Sequence, residues 1–121
     1  MTSIEEGPLP EKILFPEMIE KLPDIDIPFP NVKGKLFQGP EMQAVFFTTD
    51  GPGEIPPHSH QAQWGVMLEG EAELTVDGKM RIIRQGDSYF IPSGSVHSIR
   101  ILSPMKALDF FNEPSRYKPK T

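Results

Sequence analysis

The sequence predicts an all-β domain, a small barrel or sandwich preceded by a proline-rich arm, on three observations. After Pro30 it breaks into short apolar runs bounded by Gly, Pro, Asn or Asp, the pattern of small sandwiches and barrels. No apolar pattern of helical period is long enough to cover a parallel sheet, which argues against α/β folds. With 121 residues the chain has room for one domain and a modest core, and its 14 prolines and 10 glycines punctuate the runs without forming a biased tract.

Residues 1–30 read as the arm. Prolines 8, 10, 16, 23, 28 and 30 interrupt every regular element except a turn of helix after Pro16, which suits the first helical position. Ile13, Leu14, Phe15, Met18, Ile19, Ile25, Ile27 and Phe29 are too many apolar side chains for a solvated tail, so the arm is expected to pack on the barrel or on a second subunit. Residues 31–121 form the barrel, with strands expected at 32–37, 42–48, 64–68, 72–76, 79–84, 88–91, 97–102 and 105–111. Asp77-Gly78 between two of these runs is the preferred chemistry of a tight hairpin needing positive φ. In the run 72–76, Ala72, Leu74 and Val76 alternate with Glu73 and Thr75, as a half-buried strand requires.

A formal charge of -5 and a pI near 5.1 disfavour nucleic acid as a partner. The absence of cysteine excludes disulfides and thiolate metal sites, leaving oxygen and imidazole as the main ligands. Residues 1–22 carry Glu5, Glu6, Glu11, Glu17 and Glu20 with no long apolar segment, unlike a secretory signal or a membrane span, so a cytoplasmic protein without membrane attachment is expected.

The three histidines fall at 58, 60 and 97. In an extended segment residues i and i+2 share a face, so His58 and His60 can aim both imidazoles at one point inside a barrel. Alone, His-Ser-His is equally a polar loop after Pro56-Pro57. The surroundings add more: Gly53-Glu54-Ile55-Pro56-Pro57-His58-Ser59-His60-Gln61-Ala62-Gln63, followed by residues 64–70, resembles the first cupin motif. Gly86-Asp87-Ser88-Tyr89-Phe90-Ile91-Pro92-Ser93-Gly94-Ser95-Val96-His97 resembles the second, with glycine, proline, glycine and histidine at that family's spacing. Gly86 permits a tight turn, Pro92 and Gly94 shape the next bend, and His97 begins a strand, from which it can approach the first pair across the barrel.

The resemblance implies a cupin jelly-roll barrel, the double-stranded β-helix, holding one divalent metal ion (Zn, Ni, Fe or Mn) through His58, His60, His97 and a further oxygen ligand. Three neutral imidazoles and one oxygen suit a divalent first-row metal with positions left open. Where the family usually has a glutamate, this chain has Gln63, whose amide oxygen can coordinate but brings no negative charge, so the ion would act as a stronger Lewis acid. The family's asparagine after the last histidine is replaced by Ile101.

Gln63-Trp64-Gly65-Val66-Met67-Leu68-Glu69-Gly70 is similar to small cupins related to the pectin-degradation protein that opens 4,5-unsaturated monouronates to linear keto acids. In that group a glutamine completes the site and a glycine two residues later leaves space beside the metal, the role Gly65 would take; Met67 could floor the pocket. The loop before Gln63 is one residue shorter here. Asp109-Phe110-Phe111-Asn112-Glu113-Pro114-Ser115-Arg116-Tyr117 is similar to that subgroup's Asp-x-Phe-x-Pro-Pro-Arg ending, with Arg116 one residue late. The resemblance implies that Asp109 moves protons, Phe111 lines the pocket and Arg116 binds the substrate carboxylate. The plainer alternatives are a solvated strand residue for Asp109 and a mobile tail for Arg116.

Other conspicuous residues have simpler readings. Trp64 is expected to pack between sheets or subunits; Met42, Met67 and Met105 to fill the core; Tyr89 to be a sheet-packing aromatic, with a pocket hydroxyl as the alternative; and Arg81, Arg84 and Arg100 to lie on strand exteriors. The leading function is a metal-dependent enzyme acting on a small sugar-derived acid by ring opening or tautomerisation. A metal-dependent dioxygenase and a non-enzymatic sugar-binding cupin are the alternatives, and a homodimer is the expected assembly.

Overall fold

The computed structural model describes residues 14–120. A short helix, α1 (Glu17–Glu20), precedes nine strands: β1 (Val32–Gln38), β2 (Gln43–Thr49), β3 (Gly53–His58), β4 (Gln63–Glu69), β5 (Glu71–Val76), β6 (Lys79–Arg84), β7 (Ser88–Ile91), β8 (His97–Ile101) and β9 (Met105–Phe111). They form a five-stranded sheet ordered β1-β2-β9-β4-β7 and a four-stranded sheet ordered β3-β8-β5-β6, with every strand pair antiparallel. Two such sheets closing face to face make a jelly-roll barrel.

Alternation decides which side chains enter the barrel. β9 buries Met105, Ala107, Asp109 and Phe111 while Lys106, Leu108 and Phe110 face outward. On β5 Ala72 and Leu74 are buried and Val76 packs against them, and Ile83, Ile91, Ile101 and Val45 complete the centre. The β5–β6 hairpin turns on Asp77 at φ 49° and Gly78 at φ 81°, the left-handed pair such a turn demands.

β3 is the strand that the sequence pattern leaves out, because Pro56-Pro57 cannot donate to a ladder. It survives at the edge of its sheet, paired only with β8. The register shifts between Ile55, opposite Ile99, and His58, opposite His97. This bulge has a purpose readable in the geometry. Ile55 and His58 are three residues apart, so strict alternation would send them to opposite faces, yet both line the barrel interior; one extra residue on the bulged strand restores the parity.

The described part of the arm folds back on its own barrel. Asp24 and Ile25 make bridges to Lys35 and Pro119 respectively, which inserts a short extended segment between β1 and the C-terminal tail. Ile25 is 1% exposed and fills the space above Gly34, where an added Cβ would lie 2.7 Å from Ile25 Cδ1. Phe15 meets Phe46 edge-on at 5.5 Å. Leu14 and Met18 do not pack on the barrel: they are 77% and 75% exposed, and α1, which carries Met18, buries no residue. Ile13 and the rest of residues 1–13 lie outside the described residues. No helix among the described residues is long and apolar enough to cross a membrane.

The outer face of the five-stranded sheet carries an unexpected row. Phe37 is opposite Ala44, Ala44 opposite Phe110, Phe110 opposite Trp64 and Trp64 opposite Phe90. Trp64 therefore does not pack between the sheets; it lies outside them, with Phe110 at 6.2 Å.

Candidate metal centre and acid pocket

Two walls line one cleft inside the barrel. The first wall is imidazole. His58 ends β3 and His97 begins β8 directly opposite. His60 lies just past β3, so the expected single extended segment ends at His58. The loop carrying His60 is held instead by Gly94 N–H donating to the His60 carbonyl at 2.9 Å, by Glu113 Oε2 accepting from Gln61 N–H at 2.9 Å, and by Ser93 Oγ donating to Gln61 Oε1 at 2.7 Å.

The ligand atoms of the three histidines all lie within 4.8 Å of one another, and the His60 and His97 Nε2 atoms are 3.1 Å apart. Each Nδ1 faces a backbone carbonyl: His58 with Pro56 O at 2.8 Å, His60 with Gln61 O at 2.7 Å and His97 with Ser95 O at 2.9 Å. A carbonyl only accepts, so each Nδ1 carries the proton and each Nε2 presents its lone pair. Three lone pairs converging on one point is an arrangement that a cation stabilises, and the donor set suits a divalent first-row metal. Burial holds His60 and His97 below the ordinary imidazole range, with the Arg116 charge acting in the same direction and the backbone hydrogen bonds opposing; both are accordingly neutral ligands near pH 7.

The second wall is a hydrogen-bonded acid. Asp109 is 2% exposed, and its Oδ1 accepts from Tyr89 O–H at 2.7 Å and from Gln63 Nε2–H at 2.8 Å. Burial pushes its carboxyl from 3.8 up to about 6, against those two hydrogen bonds, which favour the ionised form. The Tyr89 hydroxyl is raised well above its usual value by burial first and by the Asp109 charge second. Asp109 is therefore no solvated strand residue.

The remaining sequence expectations separate here. Phe111 lines the cleft and lies edge-on to His60 at 5.5 Å. Arg116 is not among the residues lining the cleft: its guanidinium carbon lies 4.8 Å from the Tyr117 ring centroid, its charge reaches His60 and His97, and its buried Nε has no hydrogen-bond partner among the described residues. Gly65 leaves no open space beside the histidines, because Tyr89 and Asp109 already fill it; a Cβ there would run into Asp109 Oδ1 and lie 2.5 Å from the Tyr89 hydroxyl. Met67 is fully buried but is not part of the cleft wall; the floor comes from Phe47, Leu74, Ile101 and Met105, since the inward side chains of opposing strands meet below it.

Tyr89 lines the cleft, so of the two roles open to it the pocket hydroxyl is the one realised. The alternation Ser88-Tyr89-Phe90-Ile91 carried a usable signal, as Tyr89 and Ile91 point inward together. Tyr117, which also lines the cleft with a hydroxyl raised to about 12 chiefly by burial, comes from the irregular tail, where no periodicity could flag it.

A jelly roll with imidazoles from β3, its following loop and β8 is the cupin arrangement. The Cupin domain family model matches residues 46–111, more than half of the chain, and the chain belongs to the cupin family. KdgF from Halomonas sp. is similar in structure, with a TM-score of 0.68 and 27% sequence identity over 77% of this chain and 87% of that one, which supports the pectin-degradation subgroup. An RmlC-like cupin from Shewanella frigidimarina gives 0.70 and 27% over 80% and 87%. By sequence, mannose-1-phosphate guanylyltransferase of Escherichia coli is 33% identical over 51 residues, 40% of this chain and 11% of that enzyme; the chain spans about a tenth of the length of the first curated relatives it matches.

Proposed function

We propose that this cupin is a metal-dependent enzyme that opens or tautomerises a small sugar-derived acid, an unsaturated uronate being the best fit. The observation that carries this reading is the pairing, across one cleft, of three convergent imidazole lone pairs with a buried carboxyl poised near pH 6. His58, His60, His97 and the Gln63 amide oxygen would hold the ion, which when bound supplies Lewis acidity toward a substrate oxygen.

The chain's own residues account for the rest. Opening a cyclic hemiacetal to an enol and then a ketone takes a proton from a hydroxyl and places one on carbon, an isomerisation with no co-reactant. A carboxyl that is part protonated and part ionised near neutrality serves both transfers, and Asp109 is such a group. Arg116, next in sequence to the cleft-lining Tyr117, has a buried Nε–H without an acceptor among the described residues, which favours an anionic ligand; a substrate carboxylate would satisfy it. Phe111 and Tyr117 wall the cleft with aromatic surface that limits water.

We further propose that the chain forms a homodimer through the Phe37–Phe90 row. Phe37, Trp64 and Phe90 are 60%, 43% and 61% exposed, and the row amounts to a few hundred Å² of aromatic surface, roughly the hydrophobic centre of a standard interface. The deciding experiment combines elemental analysis of purified protein with NMR of unsaturated monouronates. Stoichiometric metal and loss of ring signals are expected, with both abolished in His58→Ala; a metal-loaded protein that leaves every ring intact overturns the enzymatic reading. Sedimentation should give twice the chain mass, and Trp64→Ser should halve it.

A further inference from the structure

Tyr89, Gly65 and Asp109 stand in one row across three adjacent strands, since Gly65 is the register partner of Tyr89 on β7 and of Asp109 on β9. Any side chain at position 65 would separate the other two. With hydrogen there, the Tyr89 hydroxyl crosses the middle strand and donates to Asp109 Oδ1 at 2.7 Å. Gln63 is two residues before Gly65 on β4, on the same inward face, and its Nε2 donates to the same oxygen at 2.8 Å.

An ionised carboxylate only accepts, so it can take the NH₂ end of an amide but never the carbonyl end. Asp109 thereby selects one of the two orientations of the Gln63 amide. Nε2 is committed to the acid, and Oε1 is the end left without a partner among the described residues. We infer that Tyr89 is a positioning residue: its hydroxyl pins the Asp109 carboxylate, which in turn fixes the Gln63 amide with its oxygen available to the ion held by His58, His60 and His97. This rests on the metal-binding reading above. It also accounts for the glutamine in place of the family's glutamate, because a carboxylate at position 63 would offer Asp109 no donor and set two negative charges against each other.

The test uses the full chain loaded with Co²⁺, whose visible absorption bands report the ligand set. Wild type should bind one equivalent. Tyr89→Phe, which keeps the ring, should bind about tenfold more weakly with altered bands, while the thermal midpoint of the metal-free protein stays within a few degrees of wild type. Gln63→Ala should show the same altered bands, and adding Tyr89→Phe to it should change nothing further, since the hydroxyl acts through the amide. Asp109→Asn, isosteric and able to donate its Nδ2–H to the carbonyl end of the Gln63 amide, offers a second route to the same spectral change. If wild type takes up no Co²⁺, Zn²⁺ or Ni²⁺, the metal reading and this inference fall together. If wild type binds and Tyr89→Phe matches it in affinity and spectrum, or if the two losses add, the metal reading stands and the positioning role is overturned.

Discussion

The two walls of the cleft are built on different length scales. Each imidazole is oriented by a carbonyl one or two residues away in sequence. The acid wall is held by side chains 46 and 20 residues apart, Gln63 with Asp109 and Tyr89 with Asp109. Local contacts need only the right turn, whereas the acid network needs β4, β7 and β9 in a single register. The ring orientations of the imidazole wall should therefore tolerate damage elsewhere in the barrel better than the acid network, which a shift of any one of three strands undoes.

The largest expected effect lies on the imidazole wall. His97→Ala removes one of three convergent donors and should lower metal affinity beyond the ~100-fold upper end that losses outside the ligand shell produce; equilibrium titration with Zn²⁺ checks it. A loss of only a few fold would mean that the three rings do not act as one site.

The next is the pH response of the acid wall in metal-free protein. Folding raises the Asp109 pKa from 3.8 to about 6, so the native state holds this proton more tightly than the unfolded chain. The resulting stability is fully present below pH 3.8 and is lost as pH rises through about 6. His60 and His97 run the other way: their values are lowered on folding, so their contribution is present above 6.5 and is lost as pH falls. Asp109→Asn removes the first dependence and keeps the second. Between pH 4 and pH 8 the stability gap should move in the variant's favour by up to about 3 kcal/mol, read from urea unfolding; a gap independent of pH would contradict the buried, charged Asp109.

Gly65→Ala attacks the same wall by volume. Its Cβ overlaps Asp109 and Tyr89, which should cost about 2 kcal/mol and lower the thermal midpoint by several degrees, while Gly53→Ala, where a Cβ meets nothing within 4 Å, serves as the matched control. The smallest expected effect is that of Arg116→Gln, outside both walls. Metal content should be unchanged and KM for an unsaturated uronate should rise about tenfold, the scale of one charge-assisted contact.

The same contrast explains what could be read from the sequence. His58, His60 and His97 were visible because their spacing and flanking glycines and prolines are local features. So were most strands, whose inward residues alternate without interruption. β3 escaped notice since its two prolines break the ladder pattern and its bulge breaks the alternation. The contact of Tyr89 with Asp109 and the aromatic row escaped because both exist only once strands distant in sequence are aligned: nothing in residues 37, 64, 90 and 110 separately says that they form a line. For Gly65 the pattern suggested room for a ligand, and the room is taken by a tyrosine 24 positions away in the chain.

The prolines of β3 have one more consequence. β3 lies at the edge of its sheet, and a bare strand invites addition by any passing extended peptide. Pro56 and Pro57 have no amide hydrogen to offer such a visitor, so this edge does not become a seed for sheet growth between molecules.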